Sequence, residues 1–139
     1  MRVLLLTLLA IPLLGACATT RMSEGDKLAL YTGHAGAPVK SITYRTPISW
    51  ERIDDSHLLL TIRPNEAWLF ELPSGCMSWV GSGPAIEISN QAGFVSAGFD
   101  RVTSNAPGAP MGCVIRQIRP IDVAAVKAAR IAMEAAAKP

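Results

Sequence analysis

His57 to Arg63 and Glu66 to Leu72 are two apolar-rich runs separated only by Pro64-Asn65. Proline at the second position of a tight turn favours reversal there, so the runs read as an antiparallel hairpin. With Arg63 opposite Glu66, the expected register sets Thr61 against Trp68 and Leu59 against Phe70. Leu58, Leu60, Ile62 and Leu69, on the other face, are apolar too. A hairpin that is apolar on both sides must be covered on both sides. It predicts the centre of the core, with a layer above it and another below.

The flanking chain carries further short strands. Ile42 and Tyr44 alternate with Ser41, Thr43 and Arg45, and Ile48 and Trp50 alternate with Ser49 and Glu51. This period of two predicts a pair of short strands meeting around Thr46-Pro47. Asp54-Asp55-Ser56 is a turn signal. Ala85 to Ser89 and Phe94 to Phe99 read as two strands around Asn90-Gln91-Ala92-Gly93, with Asp100 to Thr103 extending the second. Ser104 to Gly112, with two prolines and two glycines, reads as an exposed loop. Cys113 to Arg119 is then expected as a single last strand, with Val114 and Ile118 on one face and Cys113 and Ile115 on the other.

Two helices are expected. One is a single turn over Asp26–Tyr31, started by Ser23 with Asp26 three residues on. The other runs from Val123 to about Lys138, capped by Asp122, with Ile121, Ala124, Ala128, Ile131 and Ala135 as its apolar stripe. The fold class is α+β: about six to eight short, mostly antiparallel strands followed by a C-terminal helix. Curling of the sheet into a small barrel is compatible with this pattern.

The first residues are of a different kind. Met1-Arg2 carries one positive charge, and Val3 to Leu14 is an apolar run broken only by Thr7 and Pro12. These are the n-region and h-region of a secretory signal. The run is too short for a transmembrane helix, which needs about 20 apolar residues. Leu14-Gly15-Ala16-Cys17 ends it and resembles the lipobox of bacterial lipoproteins. That resemblance implies cleavage before Cys17, a diacylglycerol on its sulfur and an acylated new amino group. Ala18 in place of Asp at the next position implies the outer membrane in a Gram-negative host. Ala16-Cys17-Ala18 is also small-x-small, which leaves ordinary signal cleavage as the competing reading.

The expected organisation is therefore a signal peptide over 1–16, a lipidated cysteine and tether over 17–25, and one globular domain over 26–139. Removal of residues 1–16 from 139 leaves 123, which is one domain rather than two. Loss of Arg2 brings the formal net charge from +2 to about +1. Such a near-neutral surface gives no footprint for nucleic acid, whose binders cluster Lys and Arg. With Cys17 lipidated, Cys76 and Cys113 remain, and an oxidising compartment makes a disulfide their simplest state. Two buried free thiols and a redox pair stay as alternatives, the latter disfavoured by the absence of Cys-x-x-Cys.

A family resemblance runs through Leu28-Ala29-Leu30-Tyr31, His34-Ala35-Gly36-Ala37-Pro38-Val39, Arg63-Pro64-Asn65-Glu66-Ala67-Trp68-Leu69, Gly75-Cys76, Phe99-Asp100-Arg101-Val102 and Cys113 to Asp122. These segments resemble DUF6491, a family of small exported proteins of Gram-negative bacteria without an assigned activity. Its members commonly begin with a lipobox or signal peptide. Many continue after the first cysteine with a Pro-Asp-Leu-like segment, where this chain has Met77-Ser78-Trp79, so no role for an acidic residue carries over there. The resemblance implies localisation and paired cysteines, and no catalytic residue or cofactor.

Chemistry-bearing residues are few. Asp54, Asp55 and His57, with His34 as a distant fourth, offer carboxylates and imidazole for a divalent metal or acid–base work. The competing reading is ordinary turn chemistry before a strand. Arg63, Arg116 and Arg119 would form an anion site if their strands brought them together, but strand arginines more often cover edges or pair with acids. Trp50 and Trp68 lie on expected strands and read as core or half-core, which leaves Trp79 as the tryptophan for partner contact. Ser74-Gly75-Cys76 and Ser82-Gly83 do not match a nucleophile elbow, and no phosphate loop, zinc spacing or calcium loop occurs.

The functional expectation is a lipid-anchored envelope protein, a non-enzymatic accessory or binding module facing the periplasm, with a membrane contact through its lipid and a protein or cell-wall partner. A small hydrolase or metal-dependent protein built on Asp54, Asp55 and His57 is the alternative, and a ligand carrier with a barrel cavity a third reading.

Overall fold

A computed structural model describes residues 22–78, 85–104 and 111–137. The expected lipidation site Cys17 and the expected partner contact Trp79 lie outside them.

The hairpin is the centre. Strands β3 (His57–Arg63) and β4 (Glu66–Glu71) pair antiparallel across Pro64-Asn65. They are flanked by β2 (Ser49–Arg52) on one side and β9 (Gln117–Ile121) on the other, giving a four-stranded sheet in the order β2-β3-β4-β9. Arg63 faces Glu66 as expected, but the rest of the expected register is off by one. Thr61 lies opposite Ala67, Leu60 opposite Trp68 and Leu58 opposite Phe70. The cause is a bulge between Thr61 and Arg63, which gives β3 one residue more than β4 beside the turn. Turn chemistry fixes the pairing beside Pro64-Asn65, and the bulge then resets it for the remainder of the strand.

The corrected register sorts the side chains. Leu58, Leu60, Ile62, Phe70 and Leu72 enter one core, while Leu59, Ala67 and Leu69 enter a second on the opposite face. Both sides of the sheet are therefore covered, as its apolar content demands.

Two small sheets build the first cover. β1 (Ser41–Thr43) pairs with β6 (Phe94–Ser96), and β5 (Ile86–Ile88), β7 (Arg101–Ser104) and β8 (Cys113–Val114) form a three-stranded sheet in the order β5-β7-β8. Ile42, Ile88, Val95 and Val102 pack from these strands onto the hairpin, with Cys76, Cys113, Ile115 and Ile118. Cys76 and Cys113 are joined in a disulfide, their Cα atoms 6.3 Å apart. The sheets do not close into a barrel.

Several neighbours in sequence are not partners in space. β1 and β2 do not pair with each other, and neither do β5 and β6. Asp100 to Thr103 does not extend β6, because the chain turns through Ala97–Phe99 with Gly98 at φ 83° and restarts as β7. The expected strand Cys113–Arg119 is likewise broken at Ile115-Arg116 into β8 and β9. An unbroken strand would alternate Ile115 and Ile118 to opposite faces. The break lets both enter the same core, fully buried.

Two helices build the second cover. α1 spans Glu24–Gly33, longer than the single turn expected, with the Ser23 hydroxyl accepting from Asp26 N at 3.1 Å and donating to Asp26 Oδ2 at 2.6 Å. α2 spans Val123–Ala136, and Asp122 Oδ1 accepts from Ala125 N at 2.9 Å. Leu30, Tyr31 and Val126 pack on Leu59, Ala67, Leu69 and Ile121. His34 O accepts from Asp122 N, while Met22 and Ala137 line one cleft at the other end, so the helices run antiparallel along the sheet. The stripe expected on α2 is displaced: Ala124, Ala128, Ile131 and Ala135 are exposed, and Val123, Val126 and Ala129 face inward. A valine buries more apolar area than an alanine, so the valines set the rotation of the helix.

Candidate functional site

The acidic turn before β3 does not assemble a three-residue centre. His57 Nδ1 lies 2.9 Å and 3.0 Å from the two Asp54 carboxylate oxygens. Asp54 Oδ1 also accepts from Ser56 N at 2.7 Å and Ser56 Oγ at 3.2 Å. This is an Asx turn closed by the neighbouring imidazole. Burial works against the Asp54 charge, but the Ser56 amide and the His57 ring outweigh it and hold the carboxyl below its ordinary value. Asp55 turns away to pair with Arg52, which also binds Glu24 and donates to Met77 O at 3.0 Å.

Ser56, His57 and Asp54 do not form a nucleophilic relay either. A relay sets serine and carboxylate on different ring nitrogens, whereas here Ser56 Oγ, at 3.1 Å, and Asp54 both lie on Nδ1. His34 caps α1 by donating its backbone amide to Tyr31 O and Thr32 O. Among the described residues, no group of three or more His, Cys, Asp or Glu side chains is placed to hold a metal.

The three arginines also stay apart. Arg63 pairs with Glu66 at 3.6 Å. Arg119 donates to Gly36 O at 2.9 Å and Ala35 O at 3.2 Å, fixing the segment after α1 against β9. Gly36 approaches so closely there that a Cβ would stand 2.9 Å from Pro120 Cγ. Arg116 has an exposed side chain and donates its backbone amide to Glu71 O. Trp50 and Trp68 are half-buried against the larger core, as expected, with Trp68 Nε1 donating to Glu66 Oε1 at 3.2 Å.

The polar groups that do converge lie between the helices and the sheet. Glu51 on β2 accepts from Lys27 Nζ at 2.7 Å and from the Tyr31 hydroxyl at 3.3 Å. Arg130 donates to the Tyr31 hydroxyl and lies 3.8 Å from Glu51. Burial, reinforced by Glu51 and opposed by Arg130, pushes the Tyr31 phenol up to about 12. Beside this network lies a cleft of about 370 Å³ floored by Leu59, Ala67, Ile121 and Val126, with Thr61, Lys127, Arg130 and Glu134 also lining it. An apolar floor with a few convergent polar groups is the usual make-up of a binding cleft.

No sequence motif marks this site, because its members come from α1, β2, the hairpin, β9 and α2. The one local signal was the Leu-Ala-Leu-Tyr segment that ends at Tyr31.

A family model covers residues 1–137, from the apolar N-terminal run through both helices. The chain belongs to DUF6491, a family of unknown function. No curated protein and no solved structure matches it. For this DUF6491 member the α2 cleft is thus defined by its own geometry.

Proposed function

We propose that this DUF6491 protein is exported, anchored by a lipid on Cys17, and works in the cell envelope as a non-enzymatic binding module. The observation that carries the reading is the division of its three cysteines. Cys76 and Cys113 are joined, which fits an oxidising compartment, and Cys17 is left single at the end of an apolar run in Leu14-Gly15-Ala16-Cys17. The expected outer-membrane location follows from Ala18 after the cysteine. The binding surface is the cleft between α2 and the four-stranded sheet, where apolar floor and polar rim meet.

Intact mass and membrane fractionation of the protein expressed in a Gram-negative host test the anchor. Wild type should gain the mass of a diacylglycerol and an acyl chain and sediment with outer membranes, and Cys17→Ser should lose both. A soluble, unacylated wild type would refute the reading. Turnover that depends on His57 would refute its non-enzymatic part.

A further inference from the structure

The last part of α2 is out of keeping with a domain surrounded by water. Ile131 to Ala137 are all exposed, and six of these seven residues are apolar, the exception being Glu134. Ile131 is 58% and Met133 43% exposed. Within α2, Lys127 and Arg130 outnumber that single acid. An apolar helix surface with neighbouring cations is the chemistry of a segment lying in the interface of an anionic bilayer.

The position of this surface says what covers it. Met22, Met133 and Ala137 line the same cleft between the start of α1 and the end of α2. Five residue steps join Met22 to Cys17, so the two are at most about 18 Å apart even if the chain is fully extended. A domain of this size is about 30 Å across, so the pole opposite Met22 is out of reach, while the surface around Met22, which includes the end of α2, can meet the membrane. The acids at the start of α1 are already engaged, Glu24 with Arg52 and Asp26 with the Ser23 cap.

We propose that the exposed end of α2, centred on Ile131 and Met133, docks on the phospholipid surface to which Cys17 is anchored. This rests on the lipoprotein reading above. The domain is then held against the membrane with a fixed face rather than swinging on its tether, and the α2 cleft opens close to the bilayer surface.

The test couples Cys17 of the chain from residue 17 onwards to a maleimide phospholipid, with the disulfide intact, in phosphatidylethanolamine–phosphatidylglycerol vesicles. A soluble maleimide polymer conjugate is the reference, and hydrogen exchange is read at the amides of 131–137. Docking slows that exchange at least about threefold on vesicles. The slowing should disappear in Ile131→Ser/Met133→Ser, with the soluble conjugate of the same variant as the baseline for any loosening of the helix end. Equal exchange in both conjugates overturns the proposal. Protection in the soluble conjugate that grows with protein concentration overturns it in favour of a second copy on this face. Because the coupling is chemical, an unacylated native protein would refute the anchor without changing this result.

Discussion

Arg130 lies over the ring of Tyr31, its guanidinium carbon 5.5 Å from the centroid, although 99 residues separate the two in the chain. The contact joins the two helices and, through Glu51, ties both to the edge of the central sheet. An isolated exposed ion pair contributes little, but this phenol is 3% exposed and hydrogen-bonds on both sides.

That environment makes a high-pH prediction. The Tyr31 phenol stands at about 12 in the folded protein against 10.0 in the free side chain, so the folded state holds its proton more tightly than the unfolded one. Its stabilising effect is complete below pH 10 and is lost as pH rises towards 12. Urea unfolding across that range should show stability falling by about 2 kcal/mol on account of this group. Tyr31→Phe should flatten the slope without abolishing it, because burial also raises the Tyr44 phenol. An unchanged slope in the variant would remove Tyr31 from the account.

Asp54 gives the opposite sign. Its carboxyl is held below the ordinary value of 3.8, so its contribution is present above that pH and disappears as pH falls through the lower folded value. Asp54→Asn should weaken the acid limb of the stability profile and cost about 1 kcal/mol at neutral pH, the usual size for a hydrogen-bonded turn. Thermal melts from pH 2 to 7 check this. If a catalytic or metal role existed at this turn, activity would be lost with little change in melting.

Legibility followed the range of the physics. Turn chemistry at Pro64-Asn65 and Asp54-Asp55-Ser56, and caps at Ser23 and Asp122, are local, and each falls where its residues indicate. The two-sided burial of the hairpin was legible because Leu58, Leu59 and Leu60 leave no polar face. Pairing between β1 and β6, or β5 and β7, was not, since each strand has only three or four residues and adjacent strands looked like natural partners. The rotation of α2 is not legible from hydrophobic spacing alone, because its alanines bury too little area to compete with Val123 and Val126. The Tyr31–Glu51–Arg130 network was invisible for a further reason: its three residues have ordinary sequence neighbours, and only long-range packing brings them together.

Asp100 has a structural task that its sequence neighbours do not announce. It is the buried charged residue of the domain among those described, 3% exposed, accepting from Ser89 Oγ at 2.8 Å and from Ser96 N at 2.7 Å. Its backbone carbonyl accepts from Ile115 N. One side chain thus ties the end of β5 to the turn between β6 and β7. Asp100→Ala removes both bonds and leaves the half-buried Ser96 amide without its acceptor, and should cost about 1–2 kcal/mol in chemical denaturation. Asp100→Asn, which keeps one acceptor, should cost less, and equal costs would mean that charge rather than acceptor geometry matters.

The disulfide is the last test, because it joins the segment after the hairpin to the sheet that covers it. Cys76 and Cys113 are 37 residues apart, and closing a loop of that length in the unfolded chain corresponds to about 4 kcal/mol in the chain-entropy model. Both cysteines are buried in the larger core beside Met77 and Ile115. Replacing both with alanine therefore removes the cross-link and also some packing, whereas reduction of wild type removes the cross-link alone. Reduced protein should unfold at clearly lower denaturant, and the double variant at slightly lower still. Thiol labelling of denatured, unreduced protein should reach Cys17 where that residue is unmodified, but neither of the other two. Equal midpoints with and without reductant would mean that the cover is held by its apolar contacts, and that the bond adds only compartment-specific protection.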